Sequence, residues 1–218
     1  QFLKKRKKFN GSISFLITGD EEGLAIKGTK KVVDYLKKKR EKIDLCIVGE
    51  PTNPNKLGEM IKIGRRGSLS GLIKISGIQG HVAYPHLVNN PINALVAVCK
   101  KLKEKKLDKG NKNFQPSNLE FTSINVDNKA TNVIPASARA QFNIRFNNLH
   151  TSSSLKRKIS SVVKKISKKN KCKFRIDFHV SGESFLTKPN ETIHMAKKII
   201  KRITKITPKF STTGGTSD

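Results

Sequence analysis

The stretch SARAQFNIRF, residues 137–146, alternates small or apolar side chains with polar ones at every second position. Its apolar positions are Ala138, Ala140, Phe142, Ile144 and Phe146. Alternation of this kind predicts a β-strand with one buried and one solvated face. The polar positions include Arg145, whose simplest interpretation is a solvated charge.

The segments around this strand predict five more elements in the order strand, helix, strand, strand, helix, strand. Asn90 followed by Pro91 marks the start of the first helix, because Asn caps helices and Pro suits their first turn. The last strand, CKFRIDFHV (172–180), alternates as regularly as the stretch 137–146. The order βαββαβ is that of a ferredoxin-like α+β unit. We assign residues 67–180 to it as an inserted domain.

The flanking segments predict a different architecture, an α/β layer that is interrupted by the insertion. SISFLIT (12–18) and IDLCIVG (43–49) have the pattern of strands, and residues 28–42 have the apolar stripe of a helix between them. A further strand is predicted over 59–64. We therefore expect residues 1–66 and 181–218 to form two visible parts of one α/β domain.

After the insertion, the α/β layer resumes with a predicted helix capped by Asn190. Its inward face is expected to hold Ile193, Ile199, Ile200, Ile203 and Ile206. The chain begins with Gln and stops shortly after this helix, so we expect an internal piece of a longer protein.

The chain of 218 residues carries 45 Lys and Arg against 16 Asp and Glu, a formal net charge of +29. Such an excess predicts adhesion to polyanions, and a basic nucleic-acid-binding module is an alternative interpretation. The Lys runs lie on polar helix faces without an RNA-binding aromatic motif, so we expect no specific nucleic-acid partner. No apolar run is long enough to span a bilayer, so no membrane partner is expected either.

Three cysteines, Cys46, Cys99 and Cys172, lie far apart in apolar segments without CxxC spacing. They are expected to be buried free thiols of a protein in the reducing cytosol.

Acidic side chains follow two of the predicted strands at their carboxyl ends. Glu21 and Glu22 stand in GDEEG (19–23), and Glu50 stands in VGEPT (48–52). On spacing alone such carboxylates are more often a solvated loop. The carboxyl ends of strands in an open α/β sheet meet in one crevice, however, and convergent carboxylates there would favour a divalent cation.

Four more polar motifs occur along the chain: GRRGS (64–68), GHVAYPH (80–86), ATNVIP (130–135) and STTGGTSD (211–218). Each could be a surface loop or turn when taken alone. In this order, together with GDEEG and VGEPT, they resemble the dinuclear zinc amidohydrolases of the aminoacylase/carboxypeptidase type. The resemblance covers essentially the whole chain, and the motifs are specific when taken jointly.

The resemblance implies two catalytic residues, Glu21 and His81, and two metal ligands, Glu22 and Glu50. Glu21 would be the general base toward the water between two metal ions. Glu22 would ligate one zinc ion and Glu50 the other. His81, in the inserted lid and dimerisation domain, would reach the active site of the partner subunit and polarise the scissile carbonyl.

The resemblance also implies a set of substrate-binding residues that would hold carboxylates and backbone groups. They are Arg65, Ser68, Tyr84, Asn132, Arg145, Thr213 and Gly214. An arginine fork suits a substrate with several carboxylates.

The implied reaction is hydrolysis of the amide of N-succinyl-LL-2,6-diaminopimelate to succinate and LL-2,6-diaminopimelate, in lysine and cell-wall precursor biosynthesis. The enzyme would be a cytoplasmic bacterial homodimer with two Zn²⁺ per subunit, and Co²⁺ could replace zinc in one site. A related deacylase or aminopeptidase, such as an acetylornithine deacetylase, is the alternative within the family. The family's remaining metal ligands would lie outside residues 1–218, so the fragment alone is expected to be inactive.

Overall fold

The structure, a computed structural model, describes residues 10–19, 27–104 and 106–214. These residues divide into two compact units, one up to residue 50 and one that runs from residue 51 onward. Glu21 and Glu22 lie outside the described residues. None of the helices in the described ranges is long and apolar enough to cross a bilayer.

The first unit contains one helix, α1 (Thr29–Lys38). Val32, Val33 and Leu36 form its half-buried stripe, as the sequence predicts. The helix is shorter than the predicted span 28–42, because Arg40 adopts a left-handed conformation with φ of 57°. Lys37 and Lys38 occupy the last turn, where cations favour the carboxyl end of the helix dipole.

The two strands predicted in this unit are wrong as far as the described residues show. Neither 12–18 nor 43–49 is paired with another strand, and Phe15, Ile17 and Ile47 are 87%, 91% and 81% exposed. A buried strand needs hydrogen-bonded neighbours and a covering layer. The described part of this unit offers one helix and no partner strand.

The second unit is built around one four-stranded sheet and two helices. Its main elements are β3 (Gly67–Ser76), α2 (Pro91–Glu104), β5 (Asn118–Asn125), β7 (Ser137–Phe146), α3 (Ser152–Lys169) and β8 (Lys173–Gly182). The strand order in the sheet is β5-β7-β3-β8, and all three neighbouring pairs are antiparallel. The predicted sequence of strands and helices is therefore observed.

Both helices cover the same face of this sheet, where the alternating apolar residues form the core. Ala94, Leu95 and Val98 of α2 and Leu155, Ile159 and Val163 of α3 join one buried cluster with Leu69, Ile73, Ile75, Phe142 and Ile144 of the sheet. The intervening side chains of the strands point to the opposite face, which we call the outer face. Paired residues of an antiparallel sheet share a face, so the register decides which polar residues meet there.

Short strands extend the second unit. They are β1 (Met60–Lys62), β2 (Gly64–Arg65), β4 (Gly80–His81), β6 (Val133–Ile134), β9 (Phe185–Leu186) and β10 (Lys209–Ser211). Three two-stranded sheets result: parallel β1–β10, antiparallel β2–β9 and antiparallel β4–β6. Helix α4 (Glu191–Thr204) precedes β10, and Asn190 caps it by accepting from the Ile193 amide.

Two expectations about buried side chains need correction. In α4, Ile199 and Ile203 are 42% and 71% exposed, because the described residues place no layer over that side of the helix. Cys46 is exposed, since it lies in the segment 43–49 that forms no strand here. Cys99 and Cys172 are half-buried, and burial raises the pKa of the Cys99 thiol to about 11.

Candidate functional site

His81 and Asn132, distant in sequence, meet at the pairing of β4 with β6. The register places His81 opposite Val133, and the Val82 amide donates to the Asn132 carbonyl at 3.0 Å. The His81 Nε2 then lies 3.4 Å from the Asn132 Nδ2. The backbone pairing of two short strands therefore holds these side chains together at an exposed position.

The tautomer of His81 follows from a local backbone contact. The Ala83 amide donates to the His81 Nδ1 at 3.1 Å, so Nδ1 is an acceptor and the neutral ring carries its proton on Nε2. The Asn132 Nδ2 is also a donor, and two N–H groups cannot bond each other. With this tautomer both groups can donate to one acceptor atom, and we call them the donor pair.

Tyr84 lies beside the donor pair. Its ring centroid is 6.0 Å from that of His81 and 6.4 Å from that of His86. Its amide donates to the His81 carbonyl at 3.0 Å, which closes a tight turn. Three of the predicted site residues, His81, Tyr84 and Asn132, are therefore brought together.

The loop that carries His81 is fixed at its base by Gly77. Ile78 and Asn89 exchange backbone hydrogen bonds of 3.1 and 3.2 Å across this base. A Cβ at position 77 would lie 1.8 Å from the Asn89 carbonyl oxygen, so a larger residue cannot fit without moving the backbone.

Arg65, Ser68 and Arg145 gather at the opposite end of β3. Ser68 pairs with Arg145 on β7 and with Gly182 on β8, so its neighbours on the outer face are set by register. The Arg65 guanidinium lies over Gly182, where an added Cβ would come within 2.8 Å of Nη2. These three residues form what we call the arginine cluster.

Arg66 belongs beside the arginine cluster, although the sequence interpretation did not single it out. Its Nη1 donates to the Asn118 Oδ1 at 3.0 Å, and Asn118 pairs with Arg145 in the sheet. Burial and the nearby Arg145 charge lower the pKa of Arg66. Two cations held near each other favour an anion between them. Its position next to Arg65 in GRRGS was the available signal.

Thr213 and Gly214 lie in a third group, next to β1 and β10. The Lys62 Nζ donates to the Thr213 Oγ1 at 3.0 Å, and burial lowers the pKa of Lys62. Gly214 has φ of 114°, a conformation that favours glycine. The Thr213 amide donates to the Ser211 hydroxyl at 3.1 Å, which holds the turn.

The donor pair and the arginine cluster lie beyond opposite ends of the same long strand. Ser68 stands at the start of β3 and Ser76 at its end, eight residues later. At about 3.3 Å per residue this separation is about 26 Å. Pairing continues past Ser76, since the Gly77 amide donates to the Ala136 carbonyl and Gly80 pairs with Ile134, so His81 lies beyond the Ser76 end of β3.

The predicted metal ligands are only partly within the described residues. Glu50 is exposed in the first unit, and Glu21 and Glu22 fall on residues that are not described. Within the described ranges, no three His, Cys, Asp or Glu side chains gather into a group that could hold a metal ion. Glu50 has the right donor chemistry for zinc, but one carboxylate does not form a site.

A buried polar network around Asp108 was not predicted. The Asp108 carboxylate accepts from Asn147 Nδ2 at 2.7 Å and from the Gly110 amide at 2.6 Å, and it pairs with His150 Nε2 at 3.0 Å. Burial alone would raise the pKa of Asp108, but the hydrogen bonds from Ser117, Gly110 and Asn147 lower it to about 2. The network fastens the loop 108–117 to the turn between β7 and α3.

Comparison with known proteins identifies the second unit. The family model described as "Peptidase dimerisation domain", M20_dimer, matches residues 63–171. This range includes the sheet strands β3, β5 and β7 and both covering helices.

The chain is also similar to curated bacterial proteins over its full length. It is 65% identical to a protein of Pelagibacter ubique named succinyl-diaminopimelate desuccinylase, covering 100% of this chain and 56% of that protein. It is 51% identical to a protein of the same name from Parvibaculum lavamentivorans, covering 98% of this chain and 54% of that protein. The chain therefore spans about half the length of the curated relatives it matches.

Solved structures share the fold at low sequence identity. An aminopeptidase PepT from Bacillus cereus matches with a TM-score of 0.61 and 14% identity, over 73% of this chain and 41% of that chain. A tripeptidase from Staphylococcus aureus matches with a TM-score of 0.58 and 16% identity, over 71% of this chain and 40% of that chain.

Proposed function

Since the chain belongs to the M20 peptidase and amidohydrolase family, we propose that it is part of a metal-dependent amide hydrolase. The substrate is N-succinyl-LL-2,6-diaminopimelate, and the products are succinate and LL-2,6-diaminopimelate. The enzyme acts in the cytoplasm in lysine and cell-wall precursor biosynthesis. The names of the relatives support this substrate, and the motifs GRRGS and STTGGTSD favour it over acetylornithine.

The donor pair is the observation that carries the hydrolytic proposal. Amide hydrolysis passes through a tetrahedral intermediate whose carbonyl oxygen becomes negative. The His81 Nε2–H and the Asn132 Nδ2–H, 3.4 Å apart, can both donate to that oxygen. They are already in place before the charge develops, because strand pairing fixes Asn132 and the Ala83 amide fixes the His81 tautomer.

The arginine cluster supports a substrate that carries several carboxylates. Arg65 and Arg145 flank Ser68, and Arg66 adds a third guanidinium next to Arg145. Guanidinium groups bind carboxylates through paired hydrogen bonds. N-Succinyl-diaminopimelate presents three carboxylates, so this cluster suits it. Thr213, Gly214 and Tyr84 complete the proposed substrate contacts.

A homodimer in which His81 serves the partner's site accounts for the separation of the two groups. The donor pair and the arginine cluster of one chain lie at opposite ends of β3, whose span from Ser68 to Ser76 is about 26 Å, and no small substrate spans that distance. A second subunit related by a two-fold axis can bring its own donor pair to the first subunit's substrate. The match to a peptidase dimerisation domain supports this assembly.

The β5 edge of the sheet is the better candidate for the dimer contact. At the other edge, α3 presents exposed Lys and Arg side chains and contains no acidic residue, so two copies would repel each other. Near β5, by contrast, Val96 and Ile124 are each 57% exposed, and Lys103 pairs with Glu120 at 2.7 Å. We propose that β5 and α2 form the contact and that residues 67–180 are a ferredoxin-like lid and dimerisation domain.

The metal centre would be completed by residues outside those that the structure describes. Glu22 and Glu50 would each supply a carboxylate oxygen to one of two zinc ions, or to zinc and cobalt, and flanking sequence would supply the other ligands. When bound, the metal ions supply Lewis acidity that lowers the pKa of water and polarises the amide. Glu21 would take the proton, and a general base of this kind contributes about 10²–10⁴ in rate.

Steady-state kinetics on the full-length protein test the proposal. We expect hydrolysis of N-succinyl-LL-2,6-diaminopimelate with kcat/KM well above that for N-acetylornithine, and loss of activity with a chelator. Arg145→Ala should raise KM for the succinyl substrate by about 10- to 100-fold, because a charged hydrogen-bond partner is removed.

Arg139→Ala is the matched control for Arg145→Ala. Arg139 lies on the same strand and the same face, but it pairs with the exposed Asp127. Its removal should leave KM within about threefold, as exposed ion pairs contribute little. Preference for N-acetylornithine, or hydrolysis that survives complete metal removal, would contradict the proposed function.

A further inference from the structure

Asn143 occupies the outer face of β7 next to the arginine cluster, and neither the motifs nor the comparisons assign it a role. Its Nδ2 donates to the Ser70 hydroxyl at 2.9 Å and to the Ser68 hydroxyl at 3.3 Å. One carboxamide thus bridges two serines of the neighbouring strand. Asn143 and Ser70 are paired in the register of β3 with β7, and Ser68 pairs with Arg145 two positions along.

We propose that Asn143 is a positioning residue that turns the Ser68 hydroxyl into a donor toward a substrate carboxylate. This inference rests on the proposed function, because it concerns how the substrate's anionic groups are held.

The orientation of the Ser68 hydroxyl follows from which atoms of Ser68 and Asn143 can donate a hydrogen bond and which can accept one. A serine hydroxyl has one hydrogen to donate and two lone pairs that accept. Because Asn143 Nδ2 gives its hydrogens to Ser68 and Ser70, each hydroxyl oxygen accepts there and keeps its own hydrogen for another partner. Ser68 is only 2% exposed, so a carboxylate that accepts this hydrogen must displace the side chains that cover Ser68.

The surroundings of Ser68 point that hydrogen toward an anion. Its two strand neighbours are Arg145 on one side and Gly182 on the other, and the Arg65 guanidinium lies over Gly182. An anion held by these cations would accept from the Ser68 hydroxyl as well. A carboxylate in place of the Asn143 amide would reverse the arrangement, because the serine would then donate to it and offer the substrate a lone pair.

The test compares Asn143→Asp with Gln141→Glu in the full-length protein. Gln141 lies two positions earlier on the same face of β7 and is exposed; it pairs with Leu72 on β3 and with Ser123 on β5, so it faces no serine of β3. Both variants add one negative charge to the same strand face. We expect Asn143→Asp to raise KM by about 10- to 100-fold with kcat within about twofold, and Gln141→Glu to raise KM less than about threefold.

A second comparison separates orientation from charge. If Asn143 acts through Ser68, the double variant Asn143→Asp/Ser68→Ala should have a KM no higher than the worse single variant. Fold increases that multiply in the double variant, or equal effects of Asn143→Asp and Gln141→Glu, would overturn the proposal. Should Asn143→Asp fail to fold, Asn143→Ala takes its place, with an expected KM increase of about three- to tenfold. The double variant Asn143→Ala/Ser68→Ala should then have a KM no higher than the worse single variant.

Calorimetric titration of the same variants with succinate and with LL-2,6-diaminopimelate keeps this test independent of turnover. We expect the affinity for one of these two probes to fall at least about tenfold in Asn143→Asp and to change little in Gln141→Glu. An inactive wild type that still shows this pattern would contradict the proposed reaction while supporting the role of Asn143. A wild type that binds neither probe, or variants with unchanged affinities, would overturn the role of Asn143.

Discussion

His81 and Asn132 are separated by 51 positions in the chain, yet their side-chain nitrogens lie 3.4 Å apart. The contact depends on the backbone rather than on the side chains, since the Val82 amide donates to the Asn132 carbonyl at 3.0 Å. With Nδ1 of His81 occupied by the Ala83 amide, the pair places two N–H donors 3.4 Å apart. Such an arrangement stabilises a developing negative charge without reorganisation.

Removal of either donor should therefore lower kcat more than it changes KM. In the full-length enzyme we expect His81→Ala or Asn132→Ala to lower kcat by about 10²–10³, the usual loss for one donor to an oxyanion. Steady-state kinetics with the succinyl substrate measure the effect. His86→Ala is the control, because His86 is exposed in the same loop and its ring lies at a T-shaped angle to Tyr84, 6.4 Å away. A kcat reduced less than about threefold by His81→Ala would remove the donor pair from catalysis.

Gly77 should control catalysis without contacting the substrate. A Cβ at this position would meet the Asn89 carbonyl oxygen at 1.8 Å, so Gly77→Ala must displace the base of the loop that carries His81. A misplacement of about 1 Å can cost about 10²-fold in rate. We expect Gly77→Ala to lower kcat by about 10- to 100-fold, whereas the neighbouring Ser76→Ala should change it little. Equal kinetics of the two variants would show that the loop tolerates the shift.

The Asp108 network should contribute stability that depends on pH. The pKa of Asp108 is lowered from 3.8 to about 2 in the folded state, so the unfolded state binds more protons between these values. Its contribution, about 2 kcal/mol, is complete above about pH 4 and is lost as the pH falls through 2. Urea unfolding of Asp108→Asn against wild type should show this difference at pH 7 and a smaller one at pH 3.

The exposed Asp177 provides the control for Asp108. It pairs with Arg175 on the surface of β8, and Asp177→Asn should cost less than about 1 kcal/mol at either pH. A difference for Asp108→Asn that stays constant from pH 7 to pH 3 would mean that the carboxylate charge is not what stabilises the loop.

Local patterns predicted the elements whose partners lie within the second unit. The alternation in 137–146 became β7 with these same bounds, and Asn90 with Pro91 marked the start of α2, where the Asn90 Oδ1 accepts from the Ile92 amide at 2.9 Å. The same reasoning failed for 12–18 and 43–49, because an apolar run becomes a strand only when neighbouring strands pair with it.

The sequence predicted individual residues of the candidate site, but it did not predict which of them lie together. Pattern placed Arg145 on the polar face of a strand, and the same period of two would have pointed to Asn143 beside it. The Asp108 network had no local signal, since its partners Asn147 and His150 stand 39 and 42 positions away. Likewise, the separation of Ser68 from His81 follows from the ten-residue length of β3 and has no counterpart in the motifs.

Subunit complementation tests most directly whether His81 acts in the partner's active site. Glu21→Gln and His81→Ala chains, each inactive alone, are mixed in equal amounts under conditions of demonstrated subunit exchange. Half of the dimers should then be mixed, and each should contain one site with both residues intact, which predicts recovery of up to about a quarter of wild-type activity. Glu21→Gln mixed with the double variant Glu21→Gln/His81→Ala should recover nothing. Absence of recovery in the first mixture would contradict a site shared between subunits.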